Sequence, residues 1–132
     1  MNPNVTVMPL IVCDAALKSA APKDLVQAVA AFAKAEGMAL TVQREPRALT
    51  PREVYLFDLR GQGLSVSGDS AVDDLVEGRQ PKIYSFAIYP DLLTLSSPFD
   101  FAVLQPKAER VARDLQTYLR DVADVTIRPG AK

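Results

Sequence analysis

Two segments of the chain repeat apolar residues at the spacing of a helix that rests on a core. The first begins at Pro22, which suits a first helical position, and ends before Gly37. The second follows Pro106. The repeated apolar residues form a stripe along each helix that we predict faces the core. In the first helix this stripe is Leu25, Ala28, Val29, Phe32, Ala33 and Ala35, and in the second it is Ala108, Val111, Ala112, Leu115, Tyr118, Leu119 and Val122.

Shorter runs rich in β-branched and aromatic residues predict strands. The run 5–12 is nearly unbroken, but Pro9 cannot donate to a ladder, so this strand begins near Leu10 or lies partly on an edge. Glycines at 61 and 63 predict a hairpin turn. The other predicted strands are 38–43, 54–59, 64–67, 82–89, 92–96 and 125–127, with a short helix at 70–78 and a frayed tail from Arg128.

This order of elements predicts one domain over residues 1–132. Its class is α+β or mixed α/β, with one central mixed sheet of about five to six strands and two main helices packed on it.

The composition argues against several kinds of chemistry. The chain contains no histidine, the commonest general base near neutral pH and a common metal ligand. Its net charge of −1 provides no overall positive field to attract nucleic acid. We therefore expect no cofactor, no metal and no nucleic-acid partner.

The start of the chain bears on the compartment. A signal peptide requires a basic residue before its apolar run, and none precedes the run 5–12. This run is also too short to span a bilayer. A single cysteine, Cys13, suits a reducing compartment. We expect a cytoplasmic protein with no membrane association, and the bias towards Ala, Arg, Asp, Leu and Val is typical of a bacterial source.

Cys13 and Asp14 are one candidate for chemistry, because they follow the first predicted strand, where α/β sheets often bind ligands. In this hypothesis the chain is a small enzyme or phosphate carrier that uses the pair beside Lys18 and Ser19. A phosphate-binding loop needs glycine or arginine nearby, and Ala15 and Ala16 provide neither. The favoured interpretation is that Cys13 is a small buried hydrophobe.

An acidic set is the candidate partner-binding site. Asp69, Asp73 and Glu77 fall four residues apart, which would place them on one helical face, and Asp74 lies beside them. Such a face presents negative charge to a basic partner. The alternative is a solvated helix whose acidic residues complement its dipole.

No nucleophile, base and orienting group come together in the sequence, so we expect a protein-binding protein and no enzyme. An inhibitor or immunity-type protein that binds a toxin or an enzyme is a concrete example. Two alternatives stay open: the small enzyme or phosphate carrier, and an accessory subunit whose exposed hairpin edge at 64–67 pairs with another chain or a second copy in a homodimer.

Overall fold

The computed structural model describes residues 8–18, 22–44, 54–70, 82–91 and 100–130. Over these residues the chain forms two helices, α1 (Pro22–Glu36) and α2 (Asp100–Leu119). It also forms six strands, which are β1 (Ile11–Leu17), β2 (Ala39–Arg44), β3 (Tyr55–Gly61), β4 (Leu64–Ser70), β5 (Ile83–Pro90) and β6 (Ala123–Pro129).

The strands make one sheet in the order β2-β3-β4-β5-β1-β6. Every neighbouring pair is antiparallel, so the α+β alternative is confirmed and the sheet is antiparallel, not mixed. β1 and β2 are separated by three strands, and α1 connects them across the sheet. α2 connects β5 to β6, which flank β1 on its two sides.

Both helices pack on the same face of the sheet, and the core lies between them and the strands. Successive strand residues point to opposite faces. In β5, Tyr84, Phe86 and Ile88 point towards the helices and are fully buried, whereas Ser85 and Ala87 point to the other face. This alternation is visible in the sequence of β5, which lies between β4 and β1 in the interior of the sheet.

The predicted helical stripes are buried at most positions. The exceptions are Ala28 and Val122, which are half-buried, and Ala35 and Tyr118, which are exposed. The Tyr118 ring instead packs edge-on against Phe32, with ring centroids 6.1 Å apart. This contact joins α2 to α1.

Several predicted boundaries are wrong. β4 continues to Ser70, where the short helix was predicted to begin. β1 begins close to Leu10, in agreement with one of the two predictions for its start. It continues to Leu17 and not only to residue 12, because pairing with β5 and β6 keeps residues 13–17 extended. α2 begins at Asp100, so Pro106 lies inside the helix and not at its start. Arg128 belongs to β6 and not to a frayed tail. The predicted strand 92–96 lies outside the described residues.

Neither α1 nor α2, the helices of the described ranges, is long and apolar enough to cross a membrane.

Candidate functional site

The sheet has a second face, on which no helix of the described ranges lies. We call it the open face. It is formed by the alternate residues of each strand that point away from the core. Its polar or charged side chains are Asp14, Thr41, Gln43, Asp58, Arg60, Ser65, Ser67, Asp69, Ser85, Tyr89, Asp124, Thr126 and Arg128.

Asp14 is the centre of a hydrogen-bonded cluster on the open face. Ser85 lies directly opposite Asp14 on the neighbouring strand, and its Oγ donates a 2.6 Å hydrogen bond to Asp14 Oδ1. On the other side, Arg128 Nε donates a 2.7 Å hydrogen bond to Asp14 Oδ2. The carboxylate is therefore held from both flanking strands.

The same cluster sets the ionisation of the two charged groups. Partial burial alone would raise the pKa of Asp14, but the hydrogen bonds from Arg128 and Ser85 and the charge of Arg128 outweigh it, so the pKa is lowered. The hydrogen bond to Asp14 and the charge of its carboxylate raise the pKa of Arg128. Both groups are thus charged near neutral pH and form an ion pair.

A shallow depression of about 270 Å³ lies beside this ion pair. Val12 and Ala87 contribute apolar surface to it, and Tyr89, Asp69 and Arg128 contribute larger polar side chains. Val12 is only 5% exposed although it points away from the helices. The depression is thus more polar than apolar, with a small apolar contribution from Val12 and Ala87 at its base, which resembles the polar rim of a protein-binding patch more than its centre.

The open face has an excess of negative charge. Its strand residues include four carboxylates, Asp14, Asp58, Asp69 and Asp124, but only two guanidinium groups, those of Arg60 and Arg128. Arg60 Nε lies 3.6 Å from Asp58 and Arg128 pairs with Asp14. Lys18, which follows β1, lies 3.8 Å from Asp124, so the excess of negative charge on this face is small. This charge is complementary to a basic surface.

The predicted acidic set is only partly within the described residues. Asp69 lies in β4, exposed on the open face, directly opposite Ser85. Since Asp69 and Ser70 are extended, Asp69 does not share a helical face with Asp73 and Glu77, and the predicted spacing of four does not apply to it. Asp73, Asp74 and Glu77 lie outside the described residues.

The structure places the side chains of Cys13 and Asp14 on opposite faces of β1, so it does not bring this candidate pair together. Cys13 is fully buried among the core residues under the helices, whereas Asp14 is on the open face. Both lie in the middle of the strand, not after its end. Burial, with a smaller contribution from the charge of Asp14, raises the pKa of the Cys13 thiol to about 12. The predicted burial of Cys13 is confirmed.

The predicted exposed edge at 64–67 is also wrong. β4 lies between β3 and β5 and is paired on both sides. The outer strands of the sheet are β2 and β6.

Sequence reasoning did not single out Ser85 or Arg128. A signal for Ser85 was present, because polar and small residues alternate with Tyr84, Phe86 and Ile88 and so predict a half-exposed strand. Arg128 had no such signal, since its role depends on a residue 114 positions away.

Within the described ranges, no group of His, Cys, Asp and Glu side chains is placed to hold a metal ion. No protein-family model and no curated protein matches the chain.

Proposed function

We propose that this chain is a protein-binding protein and that a basic partner docks on the open face. The observation that carries the proposal is the depression beside the Asp14–Arg128 ion pair, which combines nearly buried Val12 with polar neighbours. Protein interfaces have an apolar centre and a polar, charged rim, and the depression resembles such a rim.

The charge of the open face supports the choice of a basic partner. Its carboxylates outnumber its guanidinium groups, and Asp69 stands at the edge of the depression. β4 leads directly into the segment that carries Asp73, Asp74 and Glu77. Charge of one sign near an interface mainly speeds the encounter with a partner of opposite charge. An inhibitor or immunity-type protein that covers a basic patch on a toxin or an enzyme is the concrete form of this proposal.

The first experiment compares two alanine-to-lysine variants in copurification from the native cell. Ala87→Lys places a long cation in the depression, whereas Ala35→Lys makes the same change on the exposed side of α1. We expect one partner to be retained by the wild type and by Ala35→Lys and to be lost with Ala87→Lys. A partner retained equally by Ala87→Lys would overturn the proposal, provided that circular dichroism shows the variant to be folded.

The second experiment tests the charge with the partner so obtained. Asp69→Lys, Asp74→Lys and Glu77→Lys should each slow association at low salt and flatten its salt dependence. Association rates and salt slopes equal to those of the wild type would contradict electrostatic recognition by a basic partner.

A further inference from the structure

The two outer strands of the sheet differ in how their edges are protected. On β6, Gln116 Nε2 of α2 donates a 2.8 Å hydrogen bond to the carbonyl oxygen of Val125, and Pro129 has no N–H to offer. Charged Asp124 and Arg128 further discourage pairing with another strand. β2 has none of these features between Ala39 and Gln43, where it carries neither a charged residue nor a proline.

The register shows which backbone groups of β2 point outward. The two-residue turn between β3 and β4 makes Gly61 and Leu64 a hydrogen-bonded pair, so Asp58 and Arg60 direct their backbone groups towards β2. Their partners on β2 are Thr41 and Ala39, respectively. The N–H and C=O groups of the alternate residues, Leu40 and Val42, therefore point away from the sheet, and no strand of the described ranges lies beyond them.

We propose that the outer edge of β2 pairs with β2 of a second copy of this chain, antiparallel and about a two-fold axis at Thr41. Leu40 then faces Val42 of the second copy, and each of these pairs exchanges two backbone hydrogen bonds. The two sheets become one continuous sheet, and the helices of both copies lie on the same side of it. This inference is independent of the proposed function, which uses the open face and a different partner.

The side chains of β2 make the strand its own complement. On the helix side, half-buried Leu40 meets half-buried Val42 of the second copy, which covers the exposed part of both. On the open face, Thr41 meets its own copy and Gln43 meets Ala39, and threonine pairs are favourable across antiparallel strands. The one charged residue of the strand, Arg44, faces Met38 of the second copy, so no like charges are opposed. These matched, uncharged pairs favour a second copy over a strand of unrelated sequence.

Disulfide cross-linking tests the register directly. In this pairing the two Thr41 residues form a non-hydrogen-bonded pair with Cα atoms about 4.5 Å apart, within the range of a disulfide. Thr41→Cys should therefore cross-link into a covalent dimer under mild oxidation by glutathione disulfide, while the buried Cys13 of the wild type does not. Gln43→Cys is the matched control on the same exposed face of the same strand. Its two thiols would lie four positions, or roughly 14 Å, apart along the strands, since a strand rises about 3.4 Å per residue, and they should not cross-link.

Charge variants at the axis give a second readout. Thr41→Lys and Thr41→Glu each place like charges opposite one another and should weaken dimerisation about tenfold in sedimentation equilibrium, while an equimolar mixture of the two should recover it. A wild type that stays monomeric, equal cross-linking of Thr41→Cys and Gln43→Cys, or a mixture no tighter than its components would each overturn the proposal.

Discussion

Gln62 in the β3–β4 turn donates a hydrogen bond of 2.7 Å from Nε2 to the backbone carbonyl oxygen of Glu36, the last residue of α1. The carbonyls of the last helical turn lack partners within the helix, so this bond caps α1 from a distant part of the chain. Arg110 of α2 completes the junction, because it donates a 2.7 Å hydrogen bond to Gln62 Oε1 and lies 3.3 Å from Glu36 Oε1. One side chain thus joins the hairpin to both helices.

Gln62 adopts a φ of 58°, which costs a residue other than glycine about 1 kcal/mol. With Gly63 at 77°, both central residues of the turn have positive φ, as a type I′ hairpin requires. Gln62→Ala should reduce the free energy of unfolding by about 1–2 kcal/mol, because the hydrogen bonds are lost and the strain is kept. Gln62→Gly loses the same bonds without the strain and should be about 1 kcal/mol more stable than the alanine variant. Urea denaturation of both variants measures the difference, and equal stabilities would show that the turn is unstrained.

Gly68 on β4 is required by packing and not by backbone conformation. A Cβ at this position would lie 2.5 Å from a ring carbon of Phe86 and 3.2 Å from the Cβ of Phe57. Gly68→Ala should therefore destabilise the fold by about 1–3 kcal/mol, as overpacking of a core does. Ser67→Ala, at the exposed neighbouring position, is the control and should change the unfolding free energy little. If the two variants have the same denaturation midpoint, Phe57 and Phe86 pack more loosely around Gly68 than the structure indicates.

The lowered pKa of Asp14 predicts how its contribution to stability depends on pH. The carboxylate ionises at a lower pH in the folded than in the unfolded chain, so its contribution is fully present above the unfolded pKa and is lost as pH falls through the folded one. The wild type should be more stable than Asp14→Asn at neutral pH, and the difference should shrink at acidic pH below about 4. Asp124→Asn is a suitable control, since the side chain of Asp124 is 83% exposed and its 3.8 Å ion pair with Lys18 is open to solvent. A stability difference that is the same at pH 7 and pH 3 would show that the ion pair does not stabilise the fold.

Cys13 should react with thiol reagents only when the sheet opens. The thiol is fully buried and its pKa is raised to about 12, so it stays protonated in the folded protein. Its labelling at neutral pH should be slow and should accelerate with added denaturant. Because the thiol has a higher pKa in the folded chain than its unfolded value of about 8.5, the free energy of unfolding should fall as pH rises from the unfolded pKa towards the folded one. The exposed thiol of Ala35→Cys on α1 serves as the fast reference, and equally fast labelling of Cys13 in the wild type would contradict its place in the core.

The sequence predicted those elements whose signal is local. Leu25, Val29 and Phe32 repeat along α1 at helical spacing. The turn residues Gln62 and Gly63 bring together β3, which precedes them, and β4, which follows. In both cases the side chains that decide the conformation are a few positions apart, so the pattern is legible without any long-range contact.

The tertiary structure decided the site. Asp14 reaches Ser85 and Arg128 across 71 and 114 residues of sequence, and only the order of the strands brings the three together. The same order buries β4 between two strands and leaves β2 at an edge, although both have alternating patterns. Strand pairing depends on contacts between distant segments, so a single strand's sequence specifies which residues share a face but not which neighbours they meet.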